Sequence, residues 1–145
     1  MVEILIVIAV LGIIFAVVLP QFSKSREMQV LKSTISDVLS VFEKAKSQTL
    51  ASMDSSEYGV RFESDKVIIF KGTVFVSDDD NNEIINIISP AMISDVTLNG
   101  ISGSSGSLYF NRLSGIPSKT GTITISTSSY SKIITISATG SANVN

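Results

Sequence analysis

From Ile4 to Leu19 every position is apolar or glycine, and after Pro20 the pattern becomes periodic. Leu31, Ile35, Val38, Phe42, Ala45 and Thr49 recur at alternating spacings of four and three, and Val30, Thr34 and Val41 widen that stripe. Lys24, Arg26, Glu27, Lys32, Asp37, Glu43, Lys44 and Lys46 take the other faces. This is an amphipathic helix continuing an all-apolar one. Together they predict a single α-helix over about residues 1–53, kinked near Pro20 and about 75 Å long at the standard rise. A domain made from the remainder is much shorter than that, so the N-terminal half of the helix protrudes and only its second half packs. Gly12 costs about 1 kcal/mol relative to Ala, and Pro20 about 3 kcal/mol, which makes the segment between them the place to kink or unwind.

From Tyr58 the period changes to that of strands. Tyr58 to Glu63 and Lys66 to Lys71 flank Ser64-Asp65, a hairpin of two-residue loop length. Further strands are expected at Thr73 to Val76, Glu83 to Ile88, Asp95 to Leu98, Ser107 to Asn111, Thr120 to Ser126 and Lys132 to Ser137. In the last two, Ile123 with Ile125 and Ile134 with Ile136 share faces, and Thr and Ser fill most positions between, as in half-buried antiparallel strands. Asn99 to Gly106 and Ser114 to Gly121 are rich in Gly, Ser and Pro and are read as loops. No internal repeat is visible. The expected fold class is α+β: one long helix whose second half lies on an antiparallel sheet domain. Residues 1–25 form an apolar helix, and residues 26–145 a globular unit with helix 26–53 and sheet 58–140.

Glu3 stands at the start of the apolar run. A charge within a membrane-spanning helix costs roughly 2.5 to 3.5 kcal/mol on insertion scales, so a carboxylate there calls for a partner. At 1.5 Å per residue the run nearly crosses the hydrocarbon core of a bilayer. A cleaved secretory signal fits poorly: Met-Val-Glu has no basic residue, and Pro-Gln-Phe follows Leu19 where small residues are needed. A membrane anchor fits better, yet Lys24 and Arg26 follow the span, and the positive-inside rule alone would leave that side in the cytoplasm. A basic leader ahead of the span would resolve this.

Composition narrows the chemistry. The chain has 145 residues, no Cys, no His, and a formal charge of -2. Disulfides, thiolate catalysis and Cys-type metal sites are excluded, and the commonest general base is missing. The weak acidic balance supplies no field for nucleic acid. No enzyme activity and no cofactor is expected. Asp78, Asp79 and Asp80, with Asn81, Asn82 and Glu83, form an oxygen-rich run and the one weak metal candidate, but it lacks the interleaving and central Gly of an EF-hand loop. A solvated loop is the simpler reading. The Ser-rich stretches offer hydroxyls without a base, and are possible carriers of O-linked sugar.

An acid, an apolar run, Gly12 and Pro20 at these spacings, followed by an amphipathic helix and a small sheet domain, resemble the mature N-terminus of the type IV pilin and pseudopilin family. The resemblance is close over residues 1 to about 26. Leu108 to Gly115, Gly121 to Ser126 and Ile133 to Gly140 are similar to the end of minor pilins and type II secretion pseudopilins of the GspH/FimT type. In the family the mature chain starts with an N-methylated aromatic residue two positions upstream of Met1, after a basic leader, and neither is seen here.

The resemblance implies a filament subunit that waits in the bacterial inner membrane and then polymerises into a cell-surface fimbrium. Its partners would be copies of itself, other pilins, a prepilin peptidase and the pilus assembly machinery. It gives Glu3 the role of pairing with a neighbour's terminal amine, Gly12 and Pro20 that of bounding a loosening helix, and Ile4, Leu5, Val7, Ile8, Leu11, Phe15 and Leu19 that of packing the filament core. Some FimT-like pilins resemble DNA receptors through basic residues near the C-terminus, but Thr139 to Asn145 has none, so no nucleic acid partner is expected. The resemblance is compatible with adhesion, motility, DNA uptake or secretion as the purpose of the filament. The readings left beside it are a solvated Glu3 at the membrane surface and a membrane-tethered binding module that never polymerises.

Overall fold

The computed structural model describes residues 2–145, less the side chains of Leu19 and Pro20. The expectations about the chain start at Met1 therefore lie outside the described residues. One helix, α1, spans Val2–Leu50, 49 residues with a bend near residues 19–20. The predicted stripe is the buried one: Leu31, Thr34, Ile35, Val38, Val41, Phe42, Ala45 and Thr49 are all buried, and the charged positions between them face outward. The helix stops at Leu50, slightly short of the expected 53, as its last turn tightens. Ala51 N–H still reaches Ser47 O at 2.9 Å, but Ser52 N–H turns to Thr49 O at 3.0 Å, and Ser52, Asp54 and Ser55 adopt left-handed backbone.

Nine strands follow: β1 (Tyr58–Phe62), β2 (Lys66–Lys71), β3 (Glu83–Asn86), β4 (Met92–Leu98), β5 (Ile101–Gly103), β6 (Gly106–Tyr109), β7 (Gly121–Ser126), β8 (Ser131–Ile136) and β9 (Ala142–Val144). All pairings are antiparallel, but they form two sheets where the sequence suggested one: β3-β2-β1-β6 and β5-β4-β7-β8-β9. The β1–β2 hairpin closes as expected around Ser64-Asp65, with Glu63 N–H on Lys66 O at 3.0 Å. Asn99 to Gly106, read as a loop, instead holds a second hairpin. Asn99 and Gly100 both take positive φ, 51° and 79°, which is the two-residue turn that joins β4 to β5.

The segment Thr73 to Val76, expected as a strand, forms none. Its Phe75 lies against the outer face of the first sheet, 5.6 Å from the Phe70 ring centroid and under the Arg61 guanidinium at 5.3 Å, while Val74 and Val76 are exposed. Covering Phe70 outweighs the local alternation. One core joins the inner half of α1 to both sheets, through Val60 and Phe62 of β1, Leu108 of β6, Val96 of β4, and the predicted pairs Ile123/Ile125 and Ile134/Ile136. Phe42 meets Phe110 edge-on at 4.9 Å. A methyl at Gly59 would lie 2.3 Å from the Phe70 ring and 2.5 Å from Leu108 O, so only glycine lets β1 pass between them.

Candidate functional site

Along the described outer half of α1 the domain supplies no cover. Every described side chain from Val2 to Arg26 is exposed, and burial begins only at Glu27. The proposed packing residues Ile4, Leu5, Val7, Ile8, Leu11 and Phe15 are between 46% and 67% exposed; the side chain of Leu19 lies outside the described residues. The sequence reading chose these as a subset, yet Val2, Ile6, Val10, Ile13, Ile14 and Val17 are as open, because a helix apolar on every face has no stripe to select. Phe22, 70% exposed beyond the bend, was missed; its aromatic ring just past the end of the apolar run was the available signal. The best window of this helix has a mean hydropathy of 3.2 with none of it buried, so it is long and apolar enough to cross a membrane.

Glu3 falls in the first described turn of α1. A methyl at Gly12 would meet nothing within 4 Å, so the need for glycine there does not arise within a single chain. At Pro20 the helix backbone continues through the bend, and its side chain lies outside the described residues.

The foot of the helix is fastened to the domain by side chains. Glu27 Oε1 accepts from Ser128 Oγ at 2.9 Å and Oε2 from Ser129 N–H at 3.2 Å, tying α1 to the β7–β8 turn. The Ser128 hydroxyl, with burial working against it, holds the Glu27 carboxyl below its ordinary 4.5. Higher up, Lys44 Nζ bridges both oxygens of Glu83 on β3, 2.7 Å to Oε2, and Lys46 Nζ donates to Gly140 O at 2.7 Å in the β8–β9 turn. At the far end Asp54 Oδ2 accepts from Lys71 Nζ at 3.0 Å and from Tyr58 O–H at 3.2 Å; Lys71 holds the Asp54 carboxyl low, and burial pushes the Tyr58 phenol up.

The oxygen-rich run forms a turn. Asp79 Oδ1 accepts from Asn81 N–H at 2.8 Å and Asn81 Nδ2 at 2.7 Å, and those bonds hold its carboxyl below the usual range. Asn82 Nδ2 donates back to Val76 O at 2.7 Å. Among the described residues, Asp78, Asp79 and Asp80 join no group of three or more acidic, His or Cys side chains arranged for a metal ion.

The arrangement as a whole is a two-sheet unit carrying a long apolar helix whose described outer half its own fold leaves uncovered. Comparison with protein-family models, with curated proteins and with solved structures finds no match.

Proposed function

We propose that this chain is a structural subunit of a type IV pilus or pilus-like filament, held in a membrane by its apolar helix and then polymerised through it. The observation that carries the reading is the outer half of α1, apolar on every face and uncovered along its described length. Such a surface is costly in water and needs lipid or other apolar helices around it. Both environments are met in turn if a membrane-held monomer is drawn into a helical polymer, in which identical head-to-tail contacts repeat without closing. In that polymer Glu3 pairs with a neighbour's terminal amine, which offsets the cost of burying the carboxylate and fixes axial register. Gly12 and the bend near residues 19–20 give the helix places to loosen as neighbours pack.

A minor pilin or pseudopilin of the GspH/FimT type is the second reading. It is favoured by the likeness of Leu108 to Gly115, Gly121 to Ser126 and Ile133 to Gly140, which fall on β6 with its following turn, on β7, and on β8 with its following turn. A tethered module that never polymerises is the reading from another class. Negative-stain microscopy of sheared surface fractions separates them, with mass spectrometry fixing the subunit's N-terminus. Filaments containing this chain, lost in Glu3→Leu, are the expected result. A surface without such filaments would overturn the reading, and normal filaments from Glu3→Leu would remove the role given to that carboxylate.

A further inference from the structure

Lys24 and Lys32, which follow the apolar run, are given no role by the polymer reading, and they line one groove at the foot of α1. We propose that the groove at the foot of α1, between Lys24, Lys32 and Tyr130, holds the phosphate of an anionic phospholipid headgroup while the chain is membrane-bound. The proposal rests on the membrane-held stage of the function above and not on polymerisation.

The groove is open and has a volume of about 380 Å³, with Ser25, Met28 and Gln29 completing its lining. Lys24, Met28 and Lys32 are four residues apart and therefore share one helix face. The opposite wall is Tyr130, set in the β7–β8 turn by Thr127, which exchanges two hydrogen bonds with it: Tyr130 N–H to Thr127 Oγ1 at 3.1 Å and Thr127 N–H to Tyr130 O at 2.8 Å. That turn is itself pinned to α1 by Glu27, so the wall is in place before any ligand arrives.

Charge points to an anion. Among the described residues, neither Lys24 nor Lys32 has an ion-pair partner. Glu27 is the only acid between Pro20 and Asp37, and both its oxygens are taken by Ser128 and Ser129. Lys24, Arg26 and Lys32 thus concentrate positive charge in a chain whose formal charge is -2. Tyr130 and Ser25, which also line the groove, are residues with hydroxyl donors.

Position points to a lipid. The run from Ile4 to Leu19 covers about 24 Å at the standard rise, against a hydrocarbon core of about 30 Å. That shortfall draws the next residues toward the bilayer, with Phe22 at the interface as aromatic anchors are. Lys24 then lies at the edge of the headgroup layer and Lys32 about 12 Å farther out. In the bound state the long, flexible stems of Lys24 and Lys32 bring their ammonium groups toward one phosphate from either side of Met28. The basic residues that sit awkwardly with the positive-inside rule thereby acquire a use on the side of the membrane where the domain lies.

The test uses the full chain in detergent micelles, titrated with phosphatidylglycerol or with phosphatidylcholine of the same acyl chains, and native mass spectrometry to count retained lipid. Phosphatidylglycerol should be retained preferentially, and in K24Q/K32Q that preference should fall by about thirtyfold, roughly fivefold for each lysine near an anionic surface. K44Q, whose lysine pairs with Glu83 on β3, should behave as the parent. Equal retention of the two lipids, or a preference that survives K24Q/K32Q, overturns the proposal. Inorganic phosphate that displaces phosphatidylglycerol at equal concentration would assign the groove to free phosphate and overturn the lipid. A chain that shows the preference but forms no filaments fails the polymer reading alone; one that forms filaments without the preference fails the lipid proposal alone.

Discussion

The hydroxyl of Thr49 joins the end of α1 to the start of β1: Tyr58 N–H donates to Thr49 Oγ1 at 3.0 Å, while that hydroxyl donates to Ala45 O at 2.9 Å. Thr49 is fully buried, so no water replaces it. Thr49→Val keeps the shape and orphans the Tyr58 amide. It should cost about 1–3 kcal/mol in urea unfolding, and Thr49→Ser should recover most of that.

The Phe42–Phe110 contact fixes the same helix to the strand region after β6. Both rings are buried to within 2% of full cover. Phe42→Ala should destabilise the domain by about 3–5 kcal/mol, the range for aromatic truncation in a packed core, and Phe42→Leu by clearly less. Equilibrium denaturation with an unchanged slope is the check.

Acid should loosen the foot of the helix. The folded pKa of Glu27 is lowered from 4.5, so its contribution is fully present above the unfolded value and is lost as pH falls through the folded one. The protection of the Ser129 amide, measured as exchange relative to its intrinsic rate at each pH, should fall as pH drops below about 4.5. In Glu27→Gln that fall should disappear. The carboxylate is well solvated, so the global stability change should be small.

Removing residues 1–26 should leave the domain's thermal midpoint within a few degrees of the full chain in detergent, since every described side chain in that stretch is exposed and none belongs to the core. The same deletion should abolish partition into vesicles, measured by flotation.

Much of this was legible in the sequence wherever one residue's burial follows from its neighbours' spacing. Leu31 through Thr49 lie on one face because the helix repeat puts them there, and Ile123, Ile125, Ile134 and Ile136 point inward because the strand repeat does. What was not legible depended on contacts distant in sequence. Thr73 to Val76 alternates like a strand, yet Phe75 is claimed by Phe70 and Arg61. The division into two sheets is set by β4 pairing with β7 rather than with β3, which no local pattern states. β9 was missed because Ala142-Asn-Val144 is too short and polar to announce itself, and forms by pairing with β8. The Asn99-Gly100 turn was legible and was passed over among serines and glycines. At the candidate site, the apolar run and Glu3 stood out at once, whereas the groove at Tyr130 required a turn from residues about a hundred positions later to meet the helix.

The single helix shared between an uncovered half and a packed half also has a mechanical consequence. A pull on the apolar end passes in series along the hydrogen-bonded backbone into the stretch from Glu27 to Leu50, whose stripe from Leu31 to Thr49 is buried against the domain along its length. Load then arrives parallel to that contact, as shear, and the Glu27, Phe42, Lys44, Lys46 and Thr49 contacts share it rather than yielding one after another. Compliance is left to the bend near residues 19–20, so the chain stretches at its neck before its domain opens.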